Sequence, residues 1–261
     1  MSYLVKTFGF YNSQVQVPFI PSDLSNLIHW YGDLVNAGNV NRNTLSNGAT
    51  ISTWNDQVAG GSDWFTSTAN GKTSPTYFSS TNSIRFNGSN NALRNDIRIG
   101  FTGGTVFYVS TINRANINAY QTGGVWVRNE SGSVGNKIDF ISRYLLSAVE
   151  QGLEFYNVLS VRRSYGTSVA LGTIPHIYSY SYLSGGDIDL HLDGTFVTSG
   201  STPTDINEAT TRYRILGAAR ATPLVTGADF DIYEMIVYDR KLNNTERGQV
   251  ETYLKAKYSI A

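Results

Sequence analysis

Residues 187–194 read Asp-Ile-Asp-Leu-His-Leu-Asp-Gly. In an extended chain Ile188, Leu190 and Leu192 share one side, and Asp187, Asp189, His191 and Asp193 share the other. This period-two pattern predicts a strand with one buried and one wet face. Asp193-Gly194 predicts a tight hairpin turn at its end.

The same period runs outward in both directions. Upstream it covers residues 105–112, behind Gly103-Gly104, and then 138–144, 153–159 and 177–183. Downstream it covers 212–216 and 229–238. Short strands separated by Gly, Asn and Ser turns predict an all-β, two-sheet antiparallel sandwich. No strand–helix–strand alternation occurs, which excludes a parallel α/β core. Two helices are expected. A short one near residues 22–27 is entered through Pro21. A longer one at the C-terminus has Asn243 as its cap and Glu246 closing a capping box. Val250, Tyr253, Leu254 and Lys257 share a face of it, and Glu251 and Lys255 form an i,i+4 pair. Residues 194–211, rich in Ser, Thr and Pro, read as one long loop. Residues 1–17 read as an N-terminal arm or added strand ahead of a single domain at 18–261. Tyr3, Val5, Phe8, Phe10 and Tyr11 make that arm apolar enough to dock on a partner.

Composition removes several functions. The 261 residues carry 20 basic and 20 acidic side chains, so the chain has no electrostatic grip on nucleic acid or anionic membranes. Charged residues are only 15% of the chain, against roughly 25% in ordinary domains. A hydrophobic share of 41% excludes a disordered tail, and the absence of cysteine excludes disulfides and thiolate metal sites. The N-terminus lacks a basic n-region followed by an apolar h-region, so export, if any, is expected by a route other than a signal peptide.

Several segments resemble the concanavalin A-like, laminin G-like jelly-roll superfamily. They are the run from Pro21 to Trp30-Tyr31, Trp54-Asn55-Asp56 with Gly60-Gly61-Ser62-Asp63, and Phe86-Asn87-Gly88. The closing strand around Glu234, with Tyr238-Asp239-Arg240, and the helix after Glu246 complete the set. The resemblance implies a jelly roll of two packed sheets. It leaves activity open, because the superfamily holds lectins, polysaccharide-cleaving enzymes, adhesion modules and viral surface proteins.

Retaining glucanases of this fold use two carboxylates on one strand. The comparable stretch here is 187–193, with Asp189 and Asp193 as the pair to test. It lacks the family's Glu-rich motif, and a polar outer strand face accounts for it more simply. Asp187, Asp189 and Asp193 are also the residues a Ca²⁺ ion would take. Leu192, however, stands where an EF-hand needs glycine, and a strand presents its acids in a line. No cofactor is therefore expected. His29, His176 and His191 fit no His-Glu-x-x-His spacing, and there is no Gly-x-Ser-x-Gly elbow or phosphate-binding loop.

Sugar sites stack aromatic rings on sugar faces and bind hydroxyls with a few polar groups. Trp126, beside Gly123-Gly124, with Arg128 and Asn129, and Tyr144 and Tyr165 near Arg143, Arg162 and Arg163, are the candidates. Trp126 reads equally as a loop feature. The stripe His176, Tyr178, Tyr180, Tyr182 reads as core, as do Trp30, Trp54 and Trp64. The expected function is a non-enzymatic surface protein of a phage virion. It would decorate a capsid or tail, bind glycans, and contact other virion proteins or copies of itself. A free-standing lectin or adhesin, and a polysaccharide hydrolase using Asp189 and Asp193, are the alternatives.

Overall fold

The computed structural model describes residues 18–32, 45–66, 72–88, 90–95, 103–112, 126–129, 137–145, 148–156, 162–169, 174–201, 214–217 and 229–261. At 112, 126–129, 137–145, 148–156, 162–169, 214 and 215 only the backbone is described. Tyr3, Val5, Phe8, Phe10 and Tyr11 lie outside the described residues.

A 3-10 turn at Pro21–Asp23 leads into β1 (Leu27–Tyr31), β2 (Thr53–Trp54), β3 (Trp64–Thr66), β4 (Thr76–Phe78) and β5 (Ser83–Asn87). Next come β6 (Leu93–Asn95), β7 (Gly103–Ile112), β8 (Trp126–Asn129), β9 (Lys137–Leu145), β10 (Ala148–Tyr156) and β11 (Arg162–Val169). Then follow β12 (His176–Leu183), β13 (Asp187–Leu192), β14 (Thr195–Ser201), β15 (Arg214–Leu216), β16 (Asp229–Tyr238) and the helix α1 (Asn244–Tyr258). The strands form two eight-stranded antiparallel sheets. One runs β14-β13-β12-β7-β16-β5-β4, with β1 also on β16; the other runs β11-β10-β9-β8-β15-β6-β3-β2. This is the expected all-β sandwich with a C-terminal helix. Among the described residues no helix is long and apolar enough to cross a membrane.

Two cores explain the pattern. The first lies between the sheets and holds Tyr31, Trp54, Trp64, Phe86, Tyr108, Tyr178, Tyr180 and Tyr182. Each aromatic ring removes some 150–250 Å² from water, worth several kcal/mol at about 25 cal/mol per Å². The tyrosine stripe is therefore structural, with Tyr108 stacked on Tyr178 at 5.0 Å. The second core lies on the other side of the first sheet, under α1. It joins Phe107, Val109, Ile177, Ile236 and Tyr238 to Leu242, Val250 and Leu254. The central strand β16 is thus buried on both faces, which is why its sequence runs nearly continuously apolar. Trp30 is half-buried at the margin of this second core, with its ring edge-on to Tyr253.

The helix cap is as read from sequence: Asn243 Oδ1 accepts from Glu246 N at 3.0 Å, and Glu246 Oε2 accepts from Asn243 N at 3.0 Å. Three details differ. The expected helix at 22–27 is only the 3-10 turn, because Leu24 is already extended (φ -94°, ψ 141°) and Asn26 adopts φ 67°. The expected loop at 194–211 begins with β14, laddered to β13 through a turn with Asp193 at φ 49° and Gly194 at φ 80°. Two positive φ values give the turn whose twist matches a hairpin, so pairing needs no apolar alternation in Thr195–Ser201. Glu251 pairs with Arg247 at 3.0 Å rather than with Lys255, because it is buried against β12, where Ser179 Oγ donates to it at 3.0 Å.

Candidate functional site

The second sheet carries the residues selected for sugar binding, and its register sorts them. Val127 lies opposite Leu216 of β15, and Leu216 is fully buried in the first core. Alternation therefore places position 127, and 129 with it, on the core face, and positions 126 and 128 on the opposite face. The ladders continue in unbroken register: Val127 faces Phe140, Phe140 faces Leu153, and Leu153 faces Tyr165. Positions 144 and 165 consequently share the core-side face with 129. Trp126 lies in a row with Ile141, Gly152 and Gly166 on the opposite face. Neighbouring rows on that face are Asp139-Glu154-Ser164 and Arg143-Glu150-Ser168. The two glycines were not singled out by sequence, since only the register aligns them with Trp126. The side chains of Trp126, Arg128, Asn129, Tyr144 and Tyr165 lie outside the described residues.

The acidic strand β13 is fully described. Asp187 is exposed, Asp189 pairs with Lys241 at 2.6 Å, and Asp193 pairs with His176 at 2.7 Å while accepting from Ile177 N at 2.8 Å. Each of the two acids thus has its own side-chain partner. Asp189 and Asp193 are four residues apart, about 13 Å along a strand, whereas a retaining pair needs about 5–5.5 Å. No group of three His, Cys, Asp or Glu able to hold a metal occurs among the described residues. His191 departs from the expectation of a wet face. It keeps its place on the side opposite Leu190 and Leu192, but that side is covered, and burial first, then Arg247 and Lys241, push its pKa down to about 4.

Asp189 and Lys241 border a cleft of about 620 Å³ between the β12–β13 hairpin and the start of α1. Arg240, also on its wall, holds Glu246 through two bonds of 2.7 and 2.8 Å, which keeps the Glu246 carboxyl below its usual range. The cleft's cations are thus matched internally.

A His–Asp pair missed by the sequence reading sits in the Trp54-Asn55-Asp56 motif. His29 Nδ1 donates to Asp56 Oδ2 at 2.5 Å. The same carboxylate accepts from the backbone N–H groups of Trp30 (2.9 Å), Val58 (3.0 Å) and Ser62 (3.2 Å). Tyr31 donates to Ser62 O, and Asn95 Nδ2 donates to Tyr31 Oη at 2.8 Å. Burial, and secondarily Asp56, hold the Tyr31 phenol well above its ordinary pKa. With three backbone donors on it, Asp56 pins a loop rather than activating a nucleophile.

No protein-family model and no curated protein matches the chain. The fold has clear counterparts among solved structures. It is similar to the receptor binding domain of botulinum neurotoxin C/D mosaic serotype, with TM-score 0.58 and 9% identity, covering 90% of this chain and 52% of that chain. A botulinum neurotoxin serotype D ligand binding domain in complex with N-acetylneuraminic acid has TM-score 0.56 and 12% identity, covering 80% and 50%. A Trypanosoma rangeli sialidase in complex with sialic acid has TM-score 0.57 and 16% identity, covering 92% and 35%. The chain spans about half or less of the length of these structures. At such identities the likeness establishes the β-sandwich fold.

Proposed function

We propose that the chain is a non-enzymatic glycan-binding protein of a virion surface, with its sugar site on the outer face of β8–β11. The carrying observation is the row in which Trp126 shares the face opposite the core with Gly152 and Gly166, and Arg128 follows on the same face. An indole offers a stacking surface for a sugar ring. Two glycines across the sheet leave the backbone open to close approach. A guanidinium two residues from the indole suits an anionic sugar, because it can bind a carboxylate through two parallel hydrogen bonds. Sialylated glycans are therefore the first class to test, and two of the similar structures are described with sialic acid bound. Asp189 and Asp193, the pair read as a possible acid and nucleophile, are four residues apart and too distant for paired-carboxylate chemistry, which supports binding over hydrolysis. A chain with only 15% charged residues can be covered by neighbouring subunits without desolvating many ions, as dense display on a particle requires.

An array of sialylated and neutral glycans tests the site. Binding to sialylated members should fall at least tenfold in Trp126→Ala and in Arg128→Ala. No binding, or binding indifferent to both substitutions, overturns the reading. Mass spectrometry of purified particles tests the virion assignment, and absence of the chain from them refutes it.

A further inference from the structure

An apolar groove of about 780 Å³ runs along the outer side of α1. Asn244, Gly248, Thr252 and Ala256, four residues apart, form its floor, and Phe19 and Tyr253 stand beside them. A Cβ built on Gly248 meets nothing within 4 Å, so no described residue fills the space that this glycine leaves open. Pro18, where the described chain begins, also lines the groove. Residues 1–17 therefore join the fold at the groove itself.

The segment that arrives there is Tyr11-Asn12-Ser13-Gln14-Val15-Gln16-Val17. In an extended chain Tyr11, Val15 and Val17 share one side with Ser13, and Asn12, Gln14 and Gln16 share the other. This is the pattern of a segment with one buried and one wet side, and its buried side carries no charge to desolvate. Seven extended residues cover about 20 Å between the first and last at 3.3 Å each. The helical stripe from Asn244 to Ala256 rises about 18 Å. We propose that residues 11–17 dock in cis along this groove, extended, with Tyr11, Val15 and Val17 toward α1. Attachment at the groove's own rim makes the event intramolecular, at an effective concentration of order millimolar. Tyr3, Val5, Phe8 and Phe10 then lie beyond the groove's length and remain the part of the arm that can meet a partner.

The chain has no cysteine, so engineered pairs report without background. Val15→Cys is combined in turn with Thr245→Cys, Gly248→Cys, Thr252→Cys and Ala256→Cys in the full chain, mildly oxidised at low protein concentration. The expected result is an intramolecular disulfide with at least one helix position. Gln14→Cys with the same partners should cross-link at least tenfold less. Cross-linked dimers in place of the intramolecular product show that the groove takes a second copy's arm, and overturn docking in cis. Absence of any cross-link overturns docking altogether. Should the pairs impair folding, Val15→Asp/Val17→Asp reads the same contact: a lowered melting temperature is expected, and an unchanged one refutes the proposal.

Discussion

Trp30 in β1 donates its indole N–H to Glu234 in β16 at 2.7 Å, across 204 residues of chain. Glu234 is fully buried. Its two oxygens also take Tyr253 Oη at 3.1 Å, Tyr258 Oη at 2.6 Å and Lys257 Nζ at 2.7 Å, all from α1. One carboxylate therefore ties the first strand, the central strand and the terminal helix together. Glu234→Ala should cost about 3–5 kcal/mol, because it removes the buried carboxylate shared by Lys257 and three hydrogen-bond donors. Lys257→Met should cost less, since Glu234 keeps three hydrogen bonds. Urea unfolding of both variants checks the order, and equal losses would show that the hydrogen bonds add nothing to the ion pair.

Gly61 belongs to the loop pinned by Asp56. A Cβ added there would lie 2.1 Å from Asp56 Oδ2 and 2.3 Å from its Cγ. Gly61→Ala must displace the carboxylate that binds His29 and three backbone N–H groups. A loss of about 2–4 kcal/mol is expected, as for other broken buried networks. Gly48→Ala, with nothing within 4 Å but φ 83°, is the control for backbone strain alone and should lose less. Melting temperatures decide between them.

The sandwich was legible because period-two alternation survives wherever one face is core and the other water, as in β13. It fades where both faces are covered. β16 was legible as a strand at 229–238, but its two-sided burial was not, and Glu234 could be noticed only as a lone charge in an apolar run. β14 was missed because its pairing comes from backbone bonds and the Asp193-Gly194 turn, not from side-chain pattern. Candidate site residues were legible by type but not by face. Trp126 and Tyr144 are equally plausible sugar ligands in sequence, and only the link through Leu216 to the core separates their positions.

Tyr108 and Tyr180 join their hydroxyls at 2.9 Å inside the first core, with both residues fully buried. Tyr108→Phe or Tyr180→Phe alone leaves one phenol without this partner and should cost about 1–3 kcal/mol. The double substitution removes donor and acceptor together and should cost clearly less than the sum. A double-mutant cycle by urea unfolding measures the coupling, expected at about 1 kcal/mol. Strict additivity would mean that each hydroxyl is held elsewhere.

His191 predicts how acid acts on the helix–sheet contact. Its pKa in the folded chain, about 4, lies below the ordinary 6.5, first through burial and then through Arg247 and Lys241, with Asp189 opposing. Between these two values the unfolded chain holds the proton and the folded chain does not. Stability therefore falls as pH drops from 6.5 toward 4, by at most about 3 kcal/mol, and this contribution levels off below that. Glu251, on the buried side of α1, acts in the opposite sense. Burial raises its pKa, so as pH falls the folded chain takes up that proton before the unfolded one does. Glu251 thus stabilises the fold through the upper part of the same window. His191→Gln should remove the acid loss and leave the Glu251 gain, making stability flat or slightly rising from pH 6.5 to 4.5. Urea midpoints at pH 7, 5.5 and 4.5 compare the two proteins. An unchanged acid slope in the variant would place the proton uptake on another group.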